Sequence, residues 1–150
     1  LKTAKEDRRR TERTTYQEYD FSGKRVLLVE DNEINIEITR NILIHKNFMV
    51  DIAENGKAGV EQFLKHEPGY YDVILMDIMM PVMDGLEASK KIRELPEGKG
   101  KDIPIIAMTA NAFVEDKEKT KEAGMNAHLT KPVNREEIIR VLAAYWKNKG

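Results

Sequence analysis

Val73-Ile74-Leu75-Met76-Asp77 is an apolar run that closes on a carboxylate, and Ile78-Met79-Met80-Pro81-Val82-Met83-Asp84-Gly85 carries the chain from it into a helix start. A short aliphatic run bounded by turn residues reads as a strand buried on both faces. An acid just past such a strand points into the cleft that the strand ends share. Working outward, Val26-Leu27-Leu28-Val29 closes on Glu30-Asp31, Ile105-Ile106-Ala107-Met108 on Thr109, and Ala127-His128-Leu129 on Thr130-Lys131-Pro132. Val50-Asp51-Ile52-Ala53 is a fifth run.

Amphipathic stretches between these runs predict helices over about 33–46, 55–66, 85–94, 113–123 and 134–147. Asn55-Gly56, Glu67-Pro68-Gly69 and Pro96-Glu97-Gly98 are turn signals, Asp84-Gly85 starts a helix, and Asn134 with Glu137 outlines a capping box. Five strands alternating with five helices predict an α/β domain, a parallel sheet covered on both faces with right-handed crossovers. Ligands in such open sheets bind beyond the carboxyl ends of the strands, where strand order reverses. That rule gathers Glu30, Asp31, Asp77, Thr109 and Lys131 at one mouth.

The chain of 150 residues fits one domain with a real core. Charged residues make up 34% and the net charge is -1, so nothing overall attracts nucleic acid, and Glu6, Asp7 and Glu12 dilute the Arg8-Arg9-Arg10 run. The absence of cysteine excludes disulfides and thiolate chemistry. No apolar stretch approaches the roughly 20 residues that span a bilayer, and the charged start is no signal peptide. A cytoplasmic domain without membrane contact is expected, although its parent can be membrane-anchored. Residues 1–22 show neither helical nor strand periodicity and read as a linker or fraying helix end, so the domain is expected over 23–150. A start at Leu1 reads as a piece of a longer protein.

Three converging carboxylates repel one another unless a cation or a shared proton neutralises them. Magnesium suits an all-oxygen site. Asp77 is the candidate nucleophile, because a carboxylate accepts a phosphoryl group as an acyl phosphate. That reaction needs in-line positioning and neutralised phosphoryl oxygens more than covalent help. Lys131 offers a point charge and Thr109 a hydroxyl donor. Taken singly, Asp77 reads as a turn or cap residue, and Glu30 or Asp31 as the cap of the helix near Glu33; four polar strand ends at one mouth favour the site. Pro132 after Lys131 suits either a cis bond that aims the ammonium over the sheet or a plain turn. His45, His66 and His128 lack metal-ligand spacing, and the methionines read mostly as packing.

Leu27-Leu28-Val29-Glu30-Asp31-Asn32, the Leu75–Gly85 stretch, Ile106-Ala107-Met108-Thr109-Ala110 and Leu129-Thr130-Lys131-Pro132 together resemble a response-regulator receiver domain over residues 24–147. The resemblance implies a flavodoxin-like fold with strand order 2-1-3-4-5. It implies that Asp77 is the phosphoacceptor and that Asp31, Asp77 and the backbone carbonyl of Met79 ligate magnesium, with Glu30 acting through a bound water. Lys131 and Thr109 would hold the phosphoryl group, helped by backbone N–H groups near Met79 and Ala110. The switch of such domains couples the Thr109 hydroxyl to an aromatic ring, and His128 stands at the ring's position. A histidine there implies an active-state population that depends on pH between about 5 and 8. Met79 and Asn111 occupy the positions that tune dephosphorylation, and an apolar Met79 implies slow decay of the aspartyl phosphate.

The Phe21–Asn35 and Ala107–Ala112 stretches resemble receivers fused to hybrid sensor histidine kinases. This implies a phosphorelay role, with a kinase core or a histidine-phosphotransfer protein as partner and a histidine kinase as the parent chain. The piece itself would catalyse no more than its own phosphorylation and slow dephosphorylation, and with no room after Trp146 for an output domain, direct promoter binding is not expected. A stand-alone regulator and a phosphorylation-independent interaction domain are the alternatives. A haloacid-dehalogenase-type phosphatase would place a second acid two residues after the nucleophile, where this chain has Met79. The first helix carries Ile34, Ile36, Ile38, Ile42, Leu43 and Ile44, too many for one stripe. With Ile38 and Ile42 facing the core, Ile36 and Leu43 are expected to form an exposed docking patch.

Overall fold

The computed structural model describes residues 21–110 and 114–147. Strands β1 (Arg25–Val29), β2 (Met49–Ala53), β3 (Val73–Asp77), β4 (Ile105–Thr109) and β5 (Ala127–Thr130) form a parallel sheet in the order β2-β1-β3-β4-β5. They alternate with helices α1 (Glu33–His45), α2 (Gly56–Leu64), α3 (Gly85–Arg93), α4 (Val114–Glu122) and α5 (Arg135–Lys147). The expected architecture and strand order are both present. The chain runs outward from β1 to β2, then returns to β3 on the other side of β1. Strand order therefore reverses between β1 and β3. Val29 pairs with Met76, which brings Glu30 and Asp77 level at the mouth between those two strands.

Alternate residues of each strand feed opposite faces. Leu28, Leu75, Ile106 and Leu129 pack with Leu43 of α1 and Ile138 and Leu142 of α5, while Leu27, Ile74, Met76 and Ile105 pack with Phe63 of α2 and Ala88 and Ile92 of α3. All five residues of β3 are buried, as a central strand covered on both sides requires.

The helix starts fix the loops at the mouth. Asn32 Oδ1 accepts from Asn35 N at 3.0 Å, Asp84 Oδ1 from Glu87 N at 2.8 Å and Asn134 Oδ1 from Glu137 N at 2.8 Å. Each such cap contributes about 0.5–2 kcal/mol. Asn32 is the cap of α1, so neither Glu30 nor Asp31 is spent there. The capping box forms only in half: Glu137 reaches back to accept from Thr130 N at the end of β5, at 2.9 Å.

Phe21, just ahead of the expected domain start at 23, is buried, its ring 4.7 Å from Phe48 and 5.5 Å from Trp146. One expectation is corrected: the docking patch on α1 is reversed. Leu43 is 0% exposed in the core and Ile36 packs against that core, whereas Ile34 and Ile38 face out. The inward stripe of α1 runs through half-buried Ile36 and buried Thr39 and Leu43. Thr39, a polar residue that hydropathy does not count, lies within that stripe; Ile42 packs against the core as expected, whereas Ile38 does not.

Candidate functional site

Each side chain at the mouth is delivered by a strand end and then fixed by backbone bonds. Glu30 N donates to Ala53 O at 3.0 Å, Ile78 N to Met108 O at 3.2 Å and Lys131 N to Thr109 O at 2.8 Å, extending the sheet's bonding past β1, β3 and β5. The Lys131–Pro132 bond is cis. Lys131 Nζ lies 2.8 Å from Asp77 Oδ2 and 3.1 Å from Glu30 Oε2. Asp77 Oδ1 accepts from Met79 N at 3.2 Å, and Glu30 Oε1 from Asn32 N at 3.1 Å. Asp77, Thr109, Ala110 and Lys131 line a cleft of about 160 Å³ together with Ile78, Met79 and Met108.

Two of the three carboxylates are out of water: Glu30 is 1% and Asp77 3% exposed, while Asp31 faces solvent. Burial pushes the Glu30 carboxyl up to about 7. The neighbouring Asp77 carboxylate raises it further, against the lowering effects of the Asn32 N–H and the Lys131 ammonium. Burial acts to lower Lys131, but the contacts with Asp77 and Glu30 outweigh it and raise its pKa. One ammonium thus serves two buried acids, with a third acid at the rim.

Glu30, Asp31 and Asp77 each offer an oxygen within 4.8 Å of the others. An all-oxygen set with one exposed member fits a hard divalent cation that keeps part of its hydration, as magnesium does. Such a cation would supply the charge that the single ammonium cannot.

The residues singled out in the sequence divide three ways. Glu30, Asp31, Asp77, Thr109 and Lys131 come together at the mouth. Met79 follows Asp77 with its side chain in solvent. Asn111 lies outside the described residues. His128 on β5 is half-buried and its Nε2 meets Thr120 Oγ1 of α4, whose hydroxyl also lies 3.0 Å from Lys117 O. A hydroxyl that donates to Lys117 O accepts from the ring N–H, a bond that neutral and charged histidine both make. The sequence reading missed Thr120 because no local pattern places α4 across β5. It missed Asn32 as the residue orienting Glu30, although its position directly after the acid pair was the signal.

Residues 26–143 match the family model described as the response regulator receiver domain. Hybrid signal transduction histidine kinase I of Dictyostelium discoideum is 40% identical over 121 residues, which cover 79% of this chain and 7% of that protein. The chain thus spans a small fraction of the curated relative it matches. The receiver domain of sensor histidine kinase PA1611 from Pseudomonas aeruginosa PAO1, solved with magnesium coordinated in its active-site cleft, superposes with a TM-score of 0.72 at 39% identity, covering 81% of this chain and 95% of that one. The receiver domain of Ssk1 from Saccharomyces cerevisiae, solved with the histidine phosphotransfer protein Ypd1, superposes at 0.68 with 36% identity, covering 76% of this chain and 82% of that one. With the family model matching most of its length and the acid cluster at the strand ends, this chain belongs to the response regulator receiver domains of two-component signalling.

Proposed function

We propose that this domain takes a phosphoryl group from a phosphohistidine onto Asp77. The observation that carries the reading is the Asp77 carboxylate, buried at the floor of a cleft and held 2.8 Å from Lys131 beside Glu30 and Asp31. In the transfer, a P–O bond forms to a carboxylate oxygen of Asp77 as the donor's N–P bond breaks. The electron pair stays on the imidazole nitrogen, and a proton on the other ring nitrogen lets the leaving group depart neutral. The chain's own groups hold the pieces: Lys131 neutralises a phosphoryl oxygen, Thr109 donates its hydroxyl to another, and Met79 N–H orients the carboxylate. Glu30, Asp31, Asp77 and the Met79 carbonyl would hold magnesium, which supplies charge neutralisation when bound.

The partner is a histidine kinase core or a histidine-phosphotransfer protein, and the parent chain is a hybrid sensor histidine kinase. The Ypd1-bound relative and the kinase relatives support this. Exposed Ile34 and Ile38 on α1, in place of Ile36 and Leu43, are the apolar surface beside the mouth. Thr109 and His128 form the switch, with Thr120 tying His128 to α4; a phosphomimic's affinity for a partner that stays flat between about pH 5 and 8 would remove the pH expectation for His128.

The test is intact mass after incubation with acetyl phosphate and magnesium. A phosphoryl adduct is expected on the wild type and absent from Asp77→Asn or without magnesium. No adduct on a folded, magnesium-bound protein overturns the reading in favour of phosphorylation-independent binding. The Met79 side chain cannot orient an attacking water by hydrogen bonding. Met79→Asn, which can, is expected to shorten the adduct's lifetime by roughly tenfold, about 1.4 kcal/mol off the barrier; an unchanged lifetime counts against a rate-tuning role.

A further inference from the structure

Of the strands that deliver the site, β1, β3 and β4 each lie between two neighbours, whereas β5 stands at the edge of the sheet with β4 on one side. Glu30, Asp77 and Thr109 therefore come from strands bonded on both sides. Lys131, the cation of the site, comes from a strand that the sheet holds on one side. Its own N–H is spent on that side, donating to Thr109 O at 2.8 Å. Alternate N–H groups of an edge strand point away from its neighbour, so the Thr130 N–H points out of the sheet.

Glu137 occupies that open side. Its Oε1 accepts from Thr130 N at 2.9 Å, and its own N–H donates to Asn134 Oδ1 at 2.8 Å. One residue thus fastens the segment from Thr130 to Asn134 at both ends, with Lys131 inside it. The next residue, Ile138, is buried in the core with Leu142 of the same helix, so the carboxylate stands on a helix that the core fixes to the sheet. The Lys131 ammonium itself bonds Asp77 and Glu30. Any effect of Glu137 on the site therefore passes through the backbone.

That effect matters because phosphoryl transfer depends on placement more than on covalent help. A misplacement of about 1 Å in a reacting geometry can cost about 100-fold in rate. Lysine is a point charge on a flexible stem, so its reach is only as well defined as the backbone at its root. Without Glu137 the Thr130 N–H would turn to water, and the end of β5 would be held by β4 alone. A carboxylate that accepts from a backbone N–H makes a stronger bond than a neutral acceptor, and here it supplies at one residue what a further strand would supply along the whole edge.

We propose that Glu137 is a positioning residue for phosphoryl transfer, holding the open side of β5 so that Lys131 meets Asp77 and the incoming phosphoryl group. The proposal rests on the phosphoacceptor reading, and its test separates the two. Three variants are labelled with acetyl phosphate at saturating magnesium. Glu137→Gln keeps the length and the accepting oxygen. Glu137→Asp keeps a negative charge in the first turn of α5, where it suits the helix, but falls one methylene short of Thr130. Glu137→Ala removes the group, and the aspartate variant carries the test if alanine loosens the helix. The alanine and aspartate variants are expected to label about tenfold more slowly than wild type, and the glutamine variant within about threefold of it. Magnesium affinity, read by calorimetry, should be no weaker than wild type in all three, because the acids follow β1 and β3 rather than β5. Labelling of the aspartate variant at the wild-type rate overturns the positioning role. So does a glutamine variant as slow as the aspartate one, or a loss of magnesium affinity in step with the loss of rate, which would mark a general loosening of the mouth. A wild type that acetyl phosphate does not label overturns the phosphoacceptor reading itself.

Discussion

Lys131→Met is expected to lose roughly 2–4 kcal/mol of folding stability near pH 8 in the absence of divalent cations. Methionine keeps the apolar stem and removes the ammonium. What remains is Glu30 and Asp77, both buried and both within about 3 Å of the missing charge. Breaking a buried pair from one side leaves uncompensated charge, which costs more than the intact pair contributes. The figure sits below the full penalty because the ammonium is partly solvated, with 21% of its side chain exposed. Two further features identify the cause. Excess magnesium should return most of the loss, since a cation bound by the same acids replaces the charge. Acidification should return it too, since a shared proton does the same. Urea unfolding at two pH values, with EDTA or with magnesium, checks all of this. A loss that neither magnesium nor acid relieves would mean that Lys131 acts by packing rather than by charge.

Glu30→Gln is expected to act in the opposite direction. The Glu30 carboxyl is raised from 4.5 to about 7 in the folded domain. Between those values the unfolded chain has released the proton and the folded one still holds it. The stability linked to Glu30 is therefore full below about pH 4.5 and declines as pH rises, until it is lost above about 7. At about 1.4 kcal/mol per unit the whole decline is at most about 3.5 kcal/mol, and relaxation around the site makes about 1–3 kcal/mol the expected gain for the variant near pH 8. Glutamine keeps the shape and carries no charge, so the metal-free variant should be the more stable protein there, with a flatter pH profile. It should also gain less from magnesium, having lost one of three acids. Melting curves with EDTA across pH 4 to 9 are the measurement. Identical profiles for variant and wild type would show that Glu30 ionises without penalty in the fold.

The opposite signs expected for Lys131 and Glu30 describe one device: the metal-free site holds more acid than it can neutralise. Fold energy elsewhere keeps the carboxylates together. β1 and β3 are buried on both faces, and helix caps and backbone bonds pin the loops. Under the proposed phosphoacceptor function, positive charge and phosphoryl oxygens arrive at this site together.

Nearly all of the sheet and the acid–lysine–threonine set were legible in the chain. Buried parallel strands read as unbroken aliphatic runs, and the first polar residue after each run must emerge at the mouth. That relation is local, so Glu30, Asp77, Thr109 and Lys131 could be placed from sequence. The exposed face of α1 could not, because its buried stripe includes Thr39 and several isoleucines compete for the core. Phe21 looked like linker because its partners, Phe48 and Trp146, are distant in sequence. Nor does the chain reveal that Asn32 would take the cap and leave Glu30 to Lys131, or that His128 would meet Thr120. Hydrophobic period and turn chemistry, which act within a few residues, determined the fold and the inventory of the site. Burial and shared charge are sums over segments far apart in the chain, so only the tertiary structure decided the Glu30 proton and the outward faces of α1.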